Sequence, residues 1–156
     1  MSRIKEFRFI WCDAWHNIDD GYDSILETAD DGRVALQCLA NLKQQKIDLT
    51  DKEDLFIQSL EECNVKSWNG KRYDNYNYED GSMWALDFVY DDVIIRARGM
   101  NGYPPEFVDF VETLCGKWGL NQSRLSSGMK RWPKKFNKGT VVKALSDFEQ
   151  SCPSYM

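Results

Sequence analysis

No stretch of this chain is apolar for anything near the roughly 18 residues that a membrane-spanning helix needs, and Met1-Ser2-Arg3-Ile4-Lys5-Glu6 lacks the apolar core of a signal peptide. Together these absences predict a cytoplasmic protein with no membrane partner. Histidine is nearly missing, with His16 alone, and the five cysteines (Cys12, Cys38, Cys63, Cys115, Cys152) are widely spaced without a Cys-x-x-Cys pair. That pattern argues against a disulfide framework and against a structural zinc, and most of the thiols are expected to be small core hydrophobes. Gly99-Met100-Asn101-Gly102 lacks the lysine and hydroxyl that make a phosphate-binding loop. Asp19, Asp20 and Asp23 beside His16 lack the glycine and glutamate of a calcium loop and the second histidine of many transition-metal sites. No nucleophile with a base, paired carboxylates or metal cluster is spelled out. The expectation is therefore no metal, no cofactor and, more readily than an enzyme, a binding protein.

The 156 residues suit one domain that can bury a core without staples. Apolar residues at 42% and aromatics at 13% place it among globular rather than disordered chains. The net charge of −5 is unevenly spread. Residues 117 to 156 hold eight basic side chains against Asp147 and Glu149, for +6, which leaves −11 on the first 116. A charge division of this kind suggests an interaction tail or self-association between opposite charges.

Trp84 to Tyr90 and Val93 to Arg98, joined by Asp91-Asp92, carry a hairpin signal. A two-residue loop sets Tyr90 opposite Val93, Phe88 opposite Ile95, Leu86 opposite Ala97 and Trp84 opposite Gly99 on one face. Ala85 with Arg98, Asp87 with Arg96 and Val89 with Ile94 then fall on the other, with Asp87 and Arg96 expected as an exposed pair. A slip of one residue would lose both matches. Gly99 to Pro105 stops the strand, and Phe107, Phe110, Val111 and Leu114 recur at helical spacing until Gly116.

Trp68 and Gly70, then Asp80, Gly81 and Trp84, then Gly99, Asn101, Tyr103 and Pro104 form a pattern. Over residues 50 to 115 it resembles a widespread group of small bacterial proteins of uncharacterised function. These carry a tryptophan-x-glycine turn after a helix, an aspartate-glycine-x-x-tryptophan strand start, a glycine-x-asparagine-x-tyrosine-proline ending and a closing helix. The resemblance implies a fold outline and no activity.

Elsewhere, Phe7, Phe9 and Trp11 alternate as the buried side of a first strand. Tyr22 to Thr28 and Arg33 to Leu39 follow as strands around an Ala29-Asp30-Asp31-Gly32 turn. Thr50-Asp51-Lys52-Glu53 reads as a capping box. Behind it, Leu55, Phe56, Leu60 and Cys63 form a helical stripe that Asn64 would end. A last helix is expected near Thr140, with Val141, Leu145 and Phe148 as its stripe.

These readings combine into a single α+β domain: an antiparallel sheet of about five strands built from hairpins, helices packed on one face, and a C-terminal helical extension. Residues 1–119 form the body and 120–156 the basic extension. Two candidate sites emerge. One is a ligand-facing rim of Trp68, Asp80, Trp84, Asn101 and Tyr103, at the end of the hairpin where aromatic caps and turn amides also serve structure. The other is the tail, where Lys130, Arg131, Trp132, Lys134, Lys135 and Lys138 interleave cations with aromatic Trp132 and Phe136. The leading function is a non-enzymatic protein-interaction module of bacterial or phage origin, one version being a phage protein that blocks a host defence complex. The alternatives are a small-ligand binder or enzyme using the rim, and nucleic-acid binding through the tail.

Overall fold

The computed structural model describes residues 3–13, 22–40, 43–77, 81–120 and 138–151. Four strands open the chain: β1 (Ile4–Asp13), β2 (Tyr22–Thr28), β3 (Val34–Ala40) and β4 (Lys43–Asp48). Helix α1 (Glu53–Glu61) and a 3-10 turn (Val65–Trp68) lead to β5 (Lys71–Asp74). The hairpin follows as β6 (Ser82–Tyr90) and β7 (Val93–Met100), then α2 (Phe107–Glu112), whose end widens into a π-helical turn (Thr113–Lys117). Strand β8 (Val141–Ala144) and helix α3 (Asp147–Ser151) close it. Among the described residues no helix is long and apolar enough to cross a membrane.

The eight strands among the described residues join one open sheet in the order β4-β3-β2-β1-β6-β7-β5-β8. This corrects the expectation of about five antiparallel strands with a C-terminal helical extension. β5 runs parallel to β7, so the sheet is mixed, and β8 pairs antiparallel with β5 where a helix was expected. The three added strands share a cause. β4 and β8 are edges and β5 has four residues, so none needs the alternating apolar pattern that marks a half-buried strand.

The hairpin register is the expected one at every position, from Tyr90↔Val93 to Trp84↔Gly99. Alternation along each strand gathers Phe7, Phe9 and Trp11 of β1, Leu36 of β3 and Trp84, Leu86 and Phe88 of β6 on one buried face. Phe56, Ile57 and Leu60 of α1 and Phe107, Phe110 and Leu114 of α2 belong to the same core. The rings meet edge to face, Phe7 with Phe56 at 5.2 Å and Phe9 with Phe110 at 5.1 Å. Such pairs contribute about 0.5–1.5 kcal/mol each beyond their area.

The helix starts where expected but without the capping box. Lys52 is its N-cap and no side chain caps it. The Thr50 hydroxyl instead accepts from Val34 N at 3.0 Å, and Glu53 accepts the Arg3 amide at 3.0 Å. Both capping groups are drawn off to tie the helix entrance to β3 and to the start of β1. Asn64 ends the segment in the left-handed region (φ 61), as its sequence position predicts. Leu55 faces solvent and Ile57 takes its place in the stripe. The four described cysteines, Cys12, Cys38, Cys63 and Cys115, are all buried.

Candidate binding face

Four of the five predicted rim residues, Trp68, Trp84, Asn101 and Tyr103, are brought together and buried; Asp80 lies outside the described residues. Their order follows from the hairpin. Asn101 takes positive φ (60°) just after β7, turning its amide back so that Oδ1 accepts from Ser82 N at 2.8 Å. Asn101 N in turn donates to Ser82 O at 2.8 Å. The Ser82 and Tyr103 hydroxyls are hydrogen-bonded to each other, and Trp11 Nε1 donates to Tyr103 Oη at 3.4 Å. Trp84 Nε1 donates to Gly102 O at 2.8 Å, and Trp68 Nε1 to Glu106 Oε2 at 3.2 Å. These bonds from indole, hydroxyl and amide groups close the open end of the hairpin against α2.

Two glycines make that closure fit. A Cβ on Gly99 would stand 1.9 Å from Trp84 Nε1, and one on Gly102 would stand 2.8 Å from the Tyr73 carbonyl carbon. Burial pushes the adjacent Tyr73 phenol up to about 12, so it stays protonated at neutral pH.

Of the predicted tail, Lys130, Arg131, Trp132, Lys134 and Lys135 lie outside the described residues. Lys138 is exposed, and its carbonyl accepts from Asn75 Nδ2 at 3.1 Å. Asp23, which lies in β2, pairs with Arg8 at 2.8 Å, while His16, Asp19 and Asp20 fall outside the described residues. Among the described residues no three His, Cys, Asp or Glu side chains are grouped to hold a metal ion.

The feature that sequence reasoning missed is the other face of the sheet. Arg8 stands opposite Asp87, which stands opposite Arg96, so one row crosses β1, β6 and β7 on the side away from α1 and α2. Asp87 is not the exposed partner expected from the pattern. Its side chain is only 2% exposed, and Oδ1 accepts from Arg96 Nη1 at 2.9 Å and Arg98 Nη2 at 3.0 Å. Arg96 also reaches Glu6 at 2.8 Å, and Arg98 Nη1 donates to the Ala97 carbonyl at 2.9 Å. Burial alone would lower the basicity of Arg96, but its bonds to Asp87 and Glu6 outweigh that and hold it raised. The signal was present in part, since Arg96 and Arg98 alternate along β7 and Arg96 falls opposite Asp87. Alternation alone cannot tell an exposed pair from one that long arginine stems cover.

Around this ion-paired belt lie Ile25, Met83, Ile94 and Met100, exposed by 38%, 42%, 54% and 39%. Met83 and Met100 are direct cross-strand partners. No family model, curated protein or solved structure matches this chain. The geometry of this face therefore carries the functional argument. Toward β2, β3 and β4 the face opens into a groove of about 760 Å³ lined by Glu27, Arg33, Lys46 and Asp48, again with equal numbers of acids and bases.

Two of the buried thiols, Cys63 and Cys115, are held in the neutral form. Cys63 Sγ lies 3.6 Å from Ser59 O, and burial raises its pKa; burial beside Glu112 pushes Cys115 up to about 11. Both remain neutral thiols near pH 7.

Proposed function

We propose that this chain is a non-enzymatic protein-interaction module of bacterial or phage origin, acting in the cytoplasm, with the sheet face opposite α1 and α2 as its contact surface. One version is a phage protein that blocks a host defence complex. The observation that carries the reading is the pairing of exposed Ile25, Met83, Ile94 and Met100 with a fixed belt of arginines and carboxylates on one face. Methionine and arginine are enriched in protein interfaces, and clustered exposed apolar side chains mark contact sites more often than scattered ones do. The belt is held by its own ion pairs, so little side-chain ordering remains to oppose binding.

Charge chooses among partners. Arg8, Arg96 and Arg98 are matched by Glu6, Asp23 and Asp87, and this balance lacks the uncompensated positive charge that phosphate contacts need. A protein surface fits such a face better than nucleic acid does. The rim near Asn101, with its polar groups bonded internally, supports structure before ligand binding.

The experiment is affinity capture from bacterial lysate with the wild type, with the double variant Ile94→Lys/Met100→Lys, and with Leu55→Lys on exposed α1. A stoichiometric partner held by the wild type and Leu55→Lys but lost by the double variant supports the reading. Equal retention by all three overturns the assignment of this face.

A further inference from the structure

The two edges of the sheet differ in a way that the contact face does not explain. β4 presents Lys43, Gln44 and Lys46 to solvent, the long polar side chains that keep an edge from pairing with another chain. β8 has the opposite character. Val141 and Val142 are exposed by 42% and 53%, and only Lys143 is charged. That cation is drawn back onto its own sheet, with Nζ 2.5 Å from Tyr76 Oη and 4.6 Å from the centre of the Tyr76 ring.

β8 is also held firmly for so short and exposed a strand. Just before it, the Lys138 carbonyl accepts from Asn75; just after it, Leu145 is buried and donates its N–H to Gly70 O at 2.8 Å. Arg72, opposite Lys143, bonds Glu149 of α3 at 2.8 Å. Because Leu145 N points inward to Gly70, alternation turns the amide and carbonyl groups of Lys143 inward and those of Val142 and Ala144 outward. The outward groups form a short row on a strand already fixed in place.

We infer that the β8 edge pairs antiparallel with β8 of a second copy of this chain, about a two-fold axis at Val142, to continue the sheet across the dimer. The edge is self-complementary in that register. Val142 meets Val142 of the second copy, and Lys143 lies across from Val141. Centring the pair one residue on would set Lys143 against Lys143, which like charge disfavours. Joining β8 to β4 of another copy would bring Lys143 toward Lys43 and Lys46 and would not close. Four residues bury far less than the roughly 1,600 Å² of a standard interface, so the association is weak and shows only near 0.1–1 mM, on the order of what so small a contact supports.

The test is sedimentation velocity on the full chain from about 10 µM to about 1 mM, a range that runs from well below the expected 0.1–1 mM window to its upper end. The wild type should shift from monomer toward dimer. Val142→Lys and Val142→Glu, each at an exposed side chain and each checked for a native circular dichroism spectrum, should both stay monomeric. An equimolar mixture of the two should dimerise at least as well as the wild type, because lysine then faces glutamate across the axis. Ala144→Pro, which removes an outward N–H and leaves the inward bonds to β5, should also weaken the dimer. A wild type that stays monomeric throughout, a mixture no more associated than its components, or a dimer indifferent to all three substitutions overturns the inference.

Discussion

Replacing Asp87 by asparagine keeps the shape of a buried side chain and removes its charge. In the wild type, Oδ1 takes bonds from Arg96 at 2.9 Å and Arg98 at 3.0 Å, with the three side chains 2%, 21% and 10% exposed. Removing one partner of a buried charge pair costs about 3–5 kcal/mol, because the remaining charge is left uncompensated. Here Arg96 keeps Glu6 and Arg98 keeps the Ala97 and Leu86 carbonyls, so the lower end applies, about 3 kcal/mol. For a chain of this length that lowers Tm by about 6–12 °C. Urea unfolding read by tryptophan fluorescence measures the loss, provided the slope with urea is unchanged. Arg98→Met alone and combined with Asp87→Asn should give a less than additive loss. A loss below about 1 kcal/mol, the range of exposed ion pairs, would refute the claim that Asp87 is a buried hub.

Asn101→Ala leaves the buried Ser82 amide without its acceptor and puts alanine at positive φ, so thermal melting should show a loss of about 1–3 kcal/mol; an unchanged Tm would contradict the closure described for the hairpin end. Ser24 is fully buried and its hydroxyl has no hydrogen-bond partner, so Ser24→Ala should hold or raise stability by up to about 1 kcal/mol in urea unfolding, and a clear loss would contradict that. Gly102→Ala should unfold or strongly destabilise the chain, because its Cβ would meet the β5 backbone at 2.8 Å, whereas Gly116→Ala in the open π-helical turn should stabilise by roughly 0.4–1 kcal/mol. The Lys66 ammonium at 2.7 Å, with the Tyr90 hydroxyl, holds the Glu61 carboxyl below its usual value of 4.5. A depressed pKa gives stability that is complete above the unfolded value and lost as pH falls through the folded one. The Tm advantage of wild type over Glu61→Gln should therefore be steady at neutral pH and shrink below about pH 4.5, and an advantage that grows with acid would reverse the sign.

The parts of the fold that sequence reveals are those where apolar pattern and local chemistry agree. The hairpin could be drawn pair by pair because one register alone gathers Trp84, Leu86, Phe88 and Tyr90 on a face. Phe7, Phe9 and Trp11 declared their side for the same reason, as did Asn64 its left-handed stop. β4, with Lys43-Gln44-Gln45-Lys46-Ile47-Asp48, hid behind a polar sequence that suits an edge. The β8 segment reads as helix in sequence because Val141, Leu145 and Phe148 fit helical spacing as well as Val141-Val142 fit a strand, and its pairing with β5 across some 70 residues leaves no local mark. Thr50 and Glu53 satisfied the capping pattern and were taken by longer-range partners, Val34 and Arg3. For the candidate face, the acid-base pairing was legible and its burial was not, because burial depends on arginine stems from neighbouring strands lying over Asp87.

The most direct test of the contact face is oxidative footprinting of Met83 and Met100, both exposed on it, in the free protein and in the complex with the captured partner. The account predicts that both methionines oxidise readily in the free chain and are protected together in the complex, while exposed Leu55 and Phe148 keep their free reactivity. Methionines that oxidise equally with and without the partner would place the interaction elsewhere and contradict the account.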